Sequence, residues 1–292
     1  MRNKKQQSAD EKSLCKKYFR RIIMLNLTHT KLNVGIESPV KILHITDIHL
    51  TYANEKDTPR HQQLMKTRFD VFQKEGGFPP HTPKEYFEEA IAFAKAENAL
   101  LICTGDAIDI HTYGNLEVFE EITKDIDMMF SPGGHEHQRR CVRTMEEPYP
   151  YWETIRPQLE NEFSKYNLYL ESRVVNGLNI VTADNSMDYF PKETVEAFKK
   201  ELEKGLPIIV FFHDYLWDEF LNKKEAYHPN VRMTKEDYAT SHEMIELLKS
   251  HPLVITTMSG HGHRDEERIF NGKTHYATDG LFKGKARMIE IV

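Results

Sequence analysis

Five short apolar runs in this chain each lead directly into an aspartate, a histidine or both. The first is KILHITDIHL, Lys41 to Leu50. Ile42, Leu43 and Ile45 suit a strand covered on both faces, and Asp47 and His49 follow where such a strand runs out. Side chains two apart on extended chain point the same way, so these two can converge. For one D-x-H alone, an Asp capping a turn beside a surface histidine is the commoner explanation. The pattern recurs, however. Ala99–Thr104 ends in Gly105-Asp106 with Asp109 close behind, and Ile126–Phe130 leads into SPGGHEHQ with His135. Leu206–Phe212, the most apolar run, meets His213-Asp214, and Leu253–Met258 ends in SGHGHRD with His261 and His263. The carboxyl edge of an α/β sheet is where ligands bind, so these runs specify an α/β fold with a site at one edge. Histidine and carboxylate without thiolate suit Mn, Fe, Zn or Mg. The donors exceed what one tetrahedral ion needs, so two divalent metal ions sharing a bridging carboxylate is the economical arrangement.

The intervening sequence supplies the covering helices. Thr82-Pro83-Lys84-Glu85 carries a capping box with Pro at the first helical position. Phe87, Ala90, Ile91 and Ala94 then form one buried face. Leu64, Met65, Arg68, Phe69 and Phe72 allow a short amphipathic helix, and segment 51–80, which holds it, is expected to form part of a rim over the site. Further helices are expected over Leu116–Lys124, Pro191–Lys204, Trp217–Leu221 and Thr234–Lys249. Asn176-Gly177 and Asn271-Gly272 mark two hairpins. A first strand, roughly Arg21–Val34, is expected to pair beside Val40–Thr46. Segment 139–171 is a second insertion near the site, its Tyr149, Tyr151 and Trp152 packing a small subdomain. His61 and His81 read as solvated loop residues, and Arg60, Arg68, Arg139 and Arg140 as solvated surface arginines rather than a second phosphate clamp.

Composition narrows the class. The formal charge of −6 over 292 residues gives no reason to expect nucleic acid bound through a basic field. No run approaches the ~18 apolar residues of a transmembrane helix. Cys15, Cys103 and Cys141 are dispersed without a C-x-x-C, which fits a reducing, cytoplasmic setting. Residues 1–20 read as a disordered or basic extension, and 21–292 as a single domain. Oligomeric state is not legible.

The ordered set D-x-H (Asp47, His49), G-D (Asp106), G-x-H-E (His135), H (His213) and G-H-x-H (His261, His263) resembles the calcineurin-like metallophosphoesterase superfamily over about residues 40–290. The resemblance implies a four-layer αββα sandwich of two mixed central β-sheets flanked by helices. It implies that Asp47, His49 and His263 bind one metal, that His213 and His261 bind the other, and that Asp106 bridges them. It also implies that His135 lies near the leaving group with Asp109 orienting it, and that a metal-bridging hydroxide attacks a small-molecule phosphate ester, monoester or diester. One position departs. The family's G-N-H is Gly133-Gly134-His135 here, so the Asn that lends its amide to the second metal is missing. Asn115 and Asn185 are candidate substitutes. Two other readings stay open: an amidohydrolase-type metal site, against which the order of the motifs and the NG hairpins weigh, and a non-catalytic or weakly active scaffold of the same fold.

Overall fold

A computed structural model describes residues 25–75, 81–137, 151–187, 189–215 and 235–292. The expected extension 1–20, the helix over 217–221, Arg139, Arg140 and the side chains of Tyr149, Tyr151 and Trp152 lie outside the described residues. Eleven strands are described: β1 (Asn26–Leu32), β2 (Val40–Ile45), β3 (Leu100–Thr104), β4 (Met128–Ser131), β5 (Leu170–Val175), β6 (Leu178–Ala183), β7 (Ile208–Phe211), β8 (Val254–Ser259), β9 (Glu266–Phe270), β10 (Lys273–Ala277) and β11 (Lys285–Ile291). They form two mixed sheets, ordered β1-β11-β2-β3-β4 and β5-β6-β7-β8-β10-β9. Among the described residues six helices accompany them: α1 (Pro59–Glu75), α2 (Pro83–Glu97), α3 (Tyr113–Thr123), α4 (Tyr151–Glu162), α5 (Lys192–Leu202) and α6 (Lys235–Ser250). None is long and apolar enough to cross a membrane.

Strand alternation produces the layers. In β2, Ile42 faces inward with Ile102, Met129, Ile180, Ile209 and Phe211, forming a core between the sheets. Its neighbour Leu43 faces outward and packs with Phe87 and Ala90 of α2. On the other sheet Val181 and Val210 face outward onto Val195 and Phe198 of α5 and Met244 and Leu248 of α6. Three apolar cores separate four layers, and each fully buried Ile, Leu or Phe contributes about 1.5–3 kcal/mol. This is the expected αββα sandwich.

Local signals account for the element boundaries. The Thr82 hydroxyl accepts from Glu85 N and the Glu85 carboxylate accepts from Thr82 N, closing the capping box on α2. Asn176 and Gly177 sit at φ 50° and 79°, as do Asn271 and Gly272 at 52° and 82°, the backbone that a tight right-twisted hairpin requires.

Two expectations need correction. β1 does not lie beside β2, because β11 inserts between them, parallel to β1 and antiparallel to β2. His61 lies on α1 rather than in a loop, and His81 packs edge-on against Tyr86. In the described part of the 139–171 segment, Leu159, Phe163, Tyr166 and Leu168 join the same core as Leu43 and Phe130.

Candidate metal centre

The strand order positions the site. β2, β3 and β4 run parallel in one sheet and β6, β7 and β8 parallel in the other. Parallel strands deliver their carboxyl ends to one edge. From those ends come Asp47 and His49 (β2), Asp106 and Asp109 (β3), His135 (β4), His213 (β7) and His261 and His263 (β8). All of them converge. Donor atoms about 2.0–2.2 Å from one ion lie about 2.8–3.6 Å from each other. His263 Nε2 is 3.2 Å from both His49 Nε2 and Asp47 Oδ1. His213 Nε2 is 3.2 Å from both Asp106 Oδ2 and His261 Nδ1. Asp106 Oδ2 also lies 4.0 Å from His49 Nε2, so its carboxylate stands between the two halves. Asp47–His49–His263 and Asp106–His213–His261 each form a group able to hold an ion.

Loops that cross between elements lock this arrangement. Asp47 N donates to Gly105 O, His49 N to Asp106 O, and Gly260 N to His213 O. Asp47 Oδ2 accepts from the Thr46 hydroxyl at 2.7 Å and from His261 N at 2.9 Å, joining the two sheets. The other oxygen, Asp47 Oδ1, is buried with no hydrogen bond. It faces the imidazole nitrogens of His263 at 3.2 Å and His49 at 3.8 Å, and a buried carboxylate oxygen among ring nitrogens is a donor set that suits a cation. Imidazole tautomers are set in the same way. His213 Nδ1 meets Thr104 O at 2.6 Å, which leaves Nε2 facing Asp106.

The backbone here is unusual. Asp47, His49, Asp106, His261 and His263 all have positive φ, between 48° and 67°. Each such residue costs about 1–3 kcal/mol unless its surroundings impose it. Gly105 has φ 79°, and a Cβ there would fall 2.2 Å from Gly133 N. The glycine is therefore required for the close approach of the β3 and β4 loops.

Electrostatics follow from burial and pairing. Burial raises the Asp47 and Asp106 carboxyls, but His263 and His213 beside Asp47, and His213 and His135 beside Asp106, pull both below the usual carboxylate range. Burial lowers the His49 imidazole. His135 is also desolvated, yet the Asp106 and Asp109 charges push it up to about 10.

Arg68, Phe72, Phe282 and Glu136 are partners of the site whose role carried no sequence signal. Asp109, fully buried, lies 3.2 Å from both His49 Nδ1 and His135 Nδ1. It takes a bidentate contact from Arg68 of α1 at 2.7 and 2.8 Å. Arg68 is thus neither a solvated arginine nor a phosphate clamp. Phe72, one helical turn on, stacks on His49 at 4.4 Å, and Phe282 packs edge-on against His49 and His263. α1 therefore lies against the site through Arg68 and Phe72. Glu136 accepts from the backbone N–H groups of Asp106, Ala107, Ile108 and Gly133 and splints the G-D loop to the G-G-H loop. Neither candidate for the missing Asn serves. Asn115 Oδ1 accepts from Tyr52 N, and Asn185 Oδ1 accepts from both His213 N and Asp214 N. Both amides are committed to backbone.

A model of the calcineurin-like phosphoesterase family matches residues 40–265. The chain belongs to the calcineurin-like phosphoesterase family. Members of this family are metal-dependent phosphoester hydrolases, and this one is a metallophosphoesterase. Solved structures similar to the phosphoesterase include a dimetal phosphatase from Danio rerio, at 13% identity and a TM-score of 0.50 over 84% of this chain and 88% of that one. A phosphopantetheinyl hydrolase from Mycobacterium tuberculosis matches at 11% identity over 85% and 92% of the two chains, with a TM-score of 0.44. A putative 5'-nucleotidase from Staphylococcus aureus matches at 12% over 84% and 49%, with a TM-score of 0.43. At these identities the likeness concerns the fold. No curated protein sequence matches the chain.

Proposed function

We propose that this phosphoesterase hydrolyses small-molecule phosphate esters at a centre of two divalent cations. Asp47, His49 and His263 would hold one, His213 and His261 the other, with Asp106 shared. The observation that carries the reading is the convergence of these six side chains into two adjoining groups, Asp47–His49–His263 and Asp106–His213–His261. Mn, Fe, Zn or Mg suits the donors. When bound, such cations supply Lewis acidity to phosphoryl oxygens and acidify water.

The chain's own contribution to the reaction centres on His135. Its Nδ1 lies 2.6 Å from Asp109 O and 3.2 Å from Asp109 Oδ1, which fixes the ring plane. As imidazolium it carries its second proton on Nε2, which faces the cluster 3.9 Å from Asp106 Oδ2. Cations would offset the Asp106 charge, but they would leave the Asp109 contacts in place. His135 is therefore suited to give its Nε2 proton to a departing oxygen, a general-acid role worth about 10²–10⁴ in rate. Phe72 and Phe282 wall the histidines with apolar surface and lower the local dielectric, which strengthens these contacts.

His135→Ala and Asp106→Ala test this division of roles, with an aryl phosphate assay and metal analysis run on both. His135→Ala is expected to lose about 10²–10⁴ in turnover and keep its metal. Asp106→Ala is expected to lose both. Unchanged turnover in His135→Ala would remove its role. Gly134 favours a second reading, a fold kept as a binding scaffold, and wild-type protein inert with added Mn²⁺ would select it.

A further inference from the structure

Gly134 leaves the second cation site without the amide oxygen that the family places there. The structure has another oxygen on that side. Asp214 follows His213 directly, and its Oδ1 lies 3.4 Å from His261 Nδ1, the atom with which His261 faces the cluster. His261 Nδ1 is 3.2 Å from His213 Nε2, which is 3.2 Å from Asp106 Oδ2. Asp106, His213 and His261 form one ligand group, and Asp214 adjoins that group through His261 at a distance matching neighbouring ligands on one ion, about 2.8–3.6 Å, so that a turn of its carboxylate brings it to the same ion.

We propose that the Asp214 carboxylate takes the place of the missing amide and completes the donor set of the second cation. This rests on the two-cation reading above and assigns a ligand that the family pattern does not predict. Asp214 is held for the task. Its N–H donates to Asn185 Oδ1 at 3.0 Å and its carbonyl accepts from Asn185 Nδ2 at 2.9 Å. The same Asn185 oxygen accepts from His213 N at 2.9 Å, so one amide fixes the backbone of both His213 and Asp214. The carboxylate side chain is only 14% exposed and adjoins the His261 ring. Exchanging a neutral amide for an anion adds one negative charge to the second site. That charge strengthens its hold on a dication, and a carboxylate has no N–H to offer a phosphate oxygen.

The test is Mn²⁺ stoichiometry by equilibrium dialysis and elemental analysis, with electron paramagnetic resonance to detect a coupled Mn pair. Wild type is expected to bind two equivalents and show the coupled signal. Asp214→Leu is expected to bind one equivalent without coupling, and the retained equivalent, at Asp47, His49 and His263, reports that the variant is folded. Two coupled equivalents in Asp214→Leu would overturn the proposal and leave the phosphoesterase reading intact. Wild type that binds no Mn²⁺ would overturn both. Independently of any variant, wild-type crystals soaked in Mn²⁺ should show an Asp214 oxygen within coordinating distance of the second ion, and a carboxylate turned away from it would overturn the assignment.

Discussion

Arg68→Ala probes how far α1 supports the centre. Asp109 is fully buried, and Arg68 gives it two charge-assisted contacts at 2.7 and 2.8 Å while 24% exposed itself. Removing one member of a buried pair costs about 3–5 kcal/mol, because the other charge stays buried. The exposed quarter of Arg68 and the His49 and His135 rings beside Asp109 compensate in part, which sets the expectation at the low end, about 3 kcal/mol. For a chain of this size that is a fall of roughly 6 °C in melting temperature. Asp109 orients both His49 and His135, and losing such support typically costs about 10–100-fold in metal affinity or turnover. Lys cannot reproduce the bidentate fork, so Arg68→Lys should fall between wild type and Arg68→Ala. Thermal denaturation and Mn²⁺-supported aryl phosphate turnover read both effects. Arg68→Ala that melts within about 1 °C of wild type and turns over equally fast would refute the reasoning, since ~3 kcal/mol cannot leave both unmoved.

Other expectations follow from the same geometry. Gly105→Ala forces a left-handed φ on Ala and drives a Cβ to 2.2 Å from Gly133 N, so roughly 3 kcal/mol or more of stability should be lost, measured by denaturant unfolding. His275 is buried and neutral between Thr257 and Ser259, with burial lowering its pKa to about 3. The unfolded chain binds this proton near pH 6.5 and the native chain does not, so stability should fall as pH drops from 6.5 toward 3, by about 1.4 kcal/mol per unit. His275→Gln should flatten that slope, and an unchanged acid-denaturation profile would contradict it. Asn185→Ala frees the backbone of His213 and Asp214 and should weaken the second Mn²⁺ equivalent by about 10–100-fold, read by calorimetric titration, with the first equivalent unaffected.

How much of this was legible in sequence depended on the range of the interaction that carries it. Ile42 and Leu43 announce a strand buried on both sides because alternation is local. Asn176-Gly177 and Asn271-Gly272 announce hairpins because the turn demands their backbone, and Thr82 and Glu85 announce a helix start. The G-x-H-E and G-H-x-H spacings name their histidines because the motif is short. Contacts across the fold left no such trace. Arg68 meets Asp109 only after α1 folds back over the sheet edge, and periodicity alone reads such an arginine as solvated. Glu136 was visible only as a letter beside His135, although its four backbone contacts hold two loops together. The placement of β11 between β1 and β2 depends on the C-terminal strand returning to the first sheet, which no nearby residue signals. Asn115 and Asn185 had suitable chemistry, but their amides are taken up by backbone groups. Asp214 had the adjacency to His213 but no motif to mark it.

Hydrolysis by this chain is proposed to depend on two cations gathered by Asp47, His49, Asp106, His213, His261 and His263. The direct measurement is turnover of an aryl phosphate by metal-stripped protein during Mn²⁺ titration. No hydrolysis is expected at the start, followed by a rate that saturates at two equivalents per chain. Undiminished hydrolysis by the stripped protein, or none at any Mn²⁺ level, would contradict that dependence.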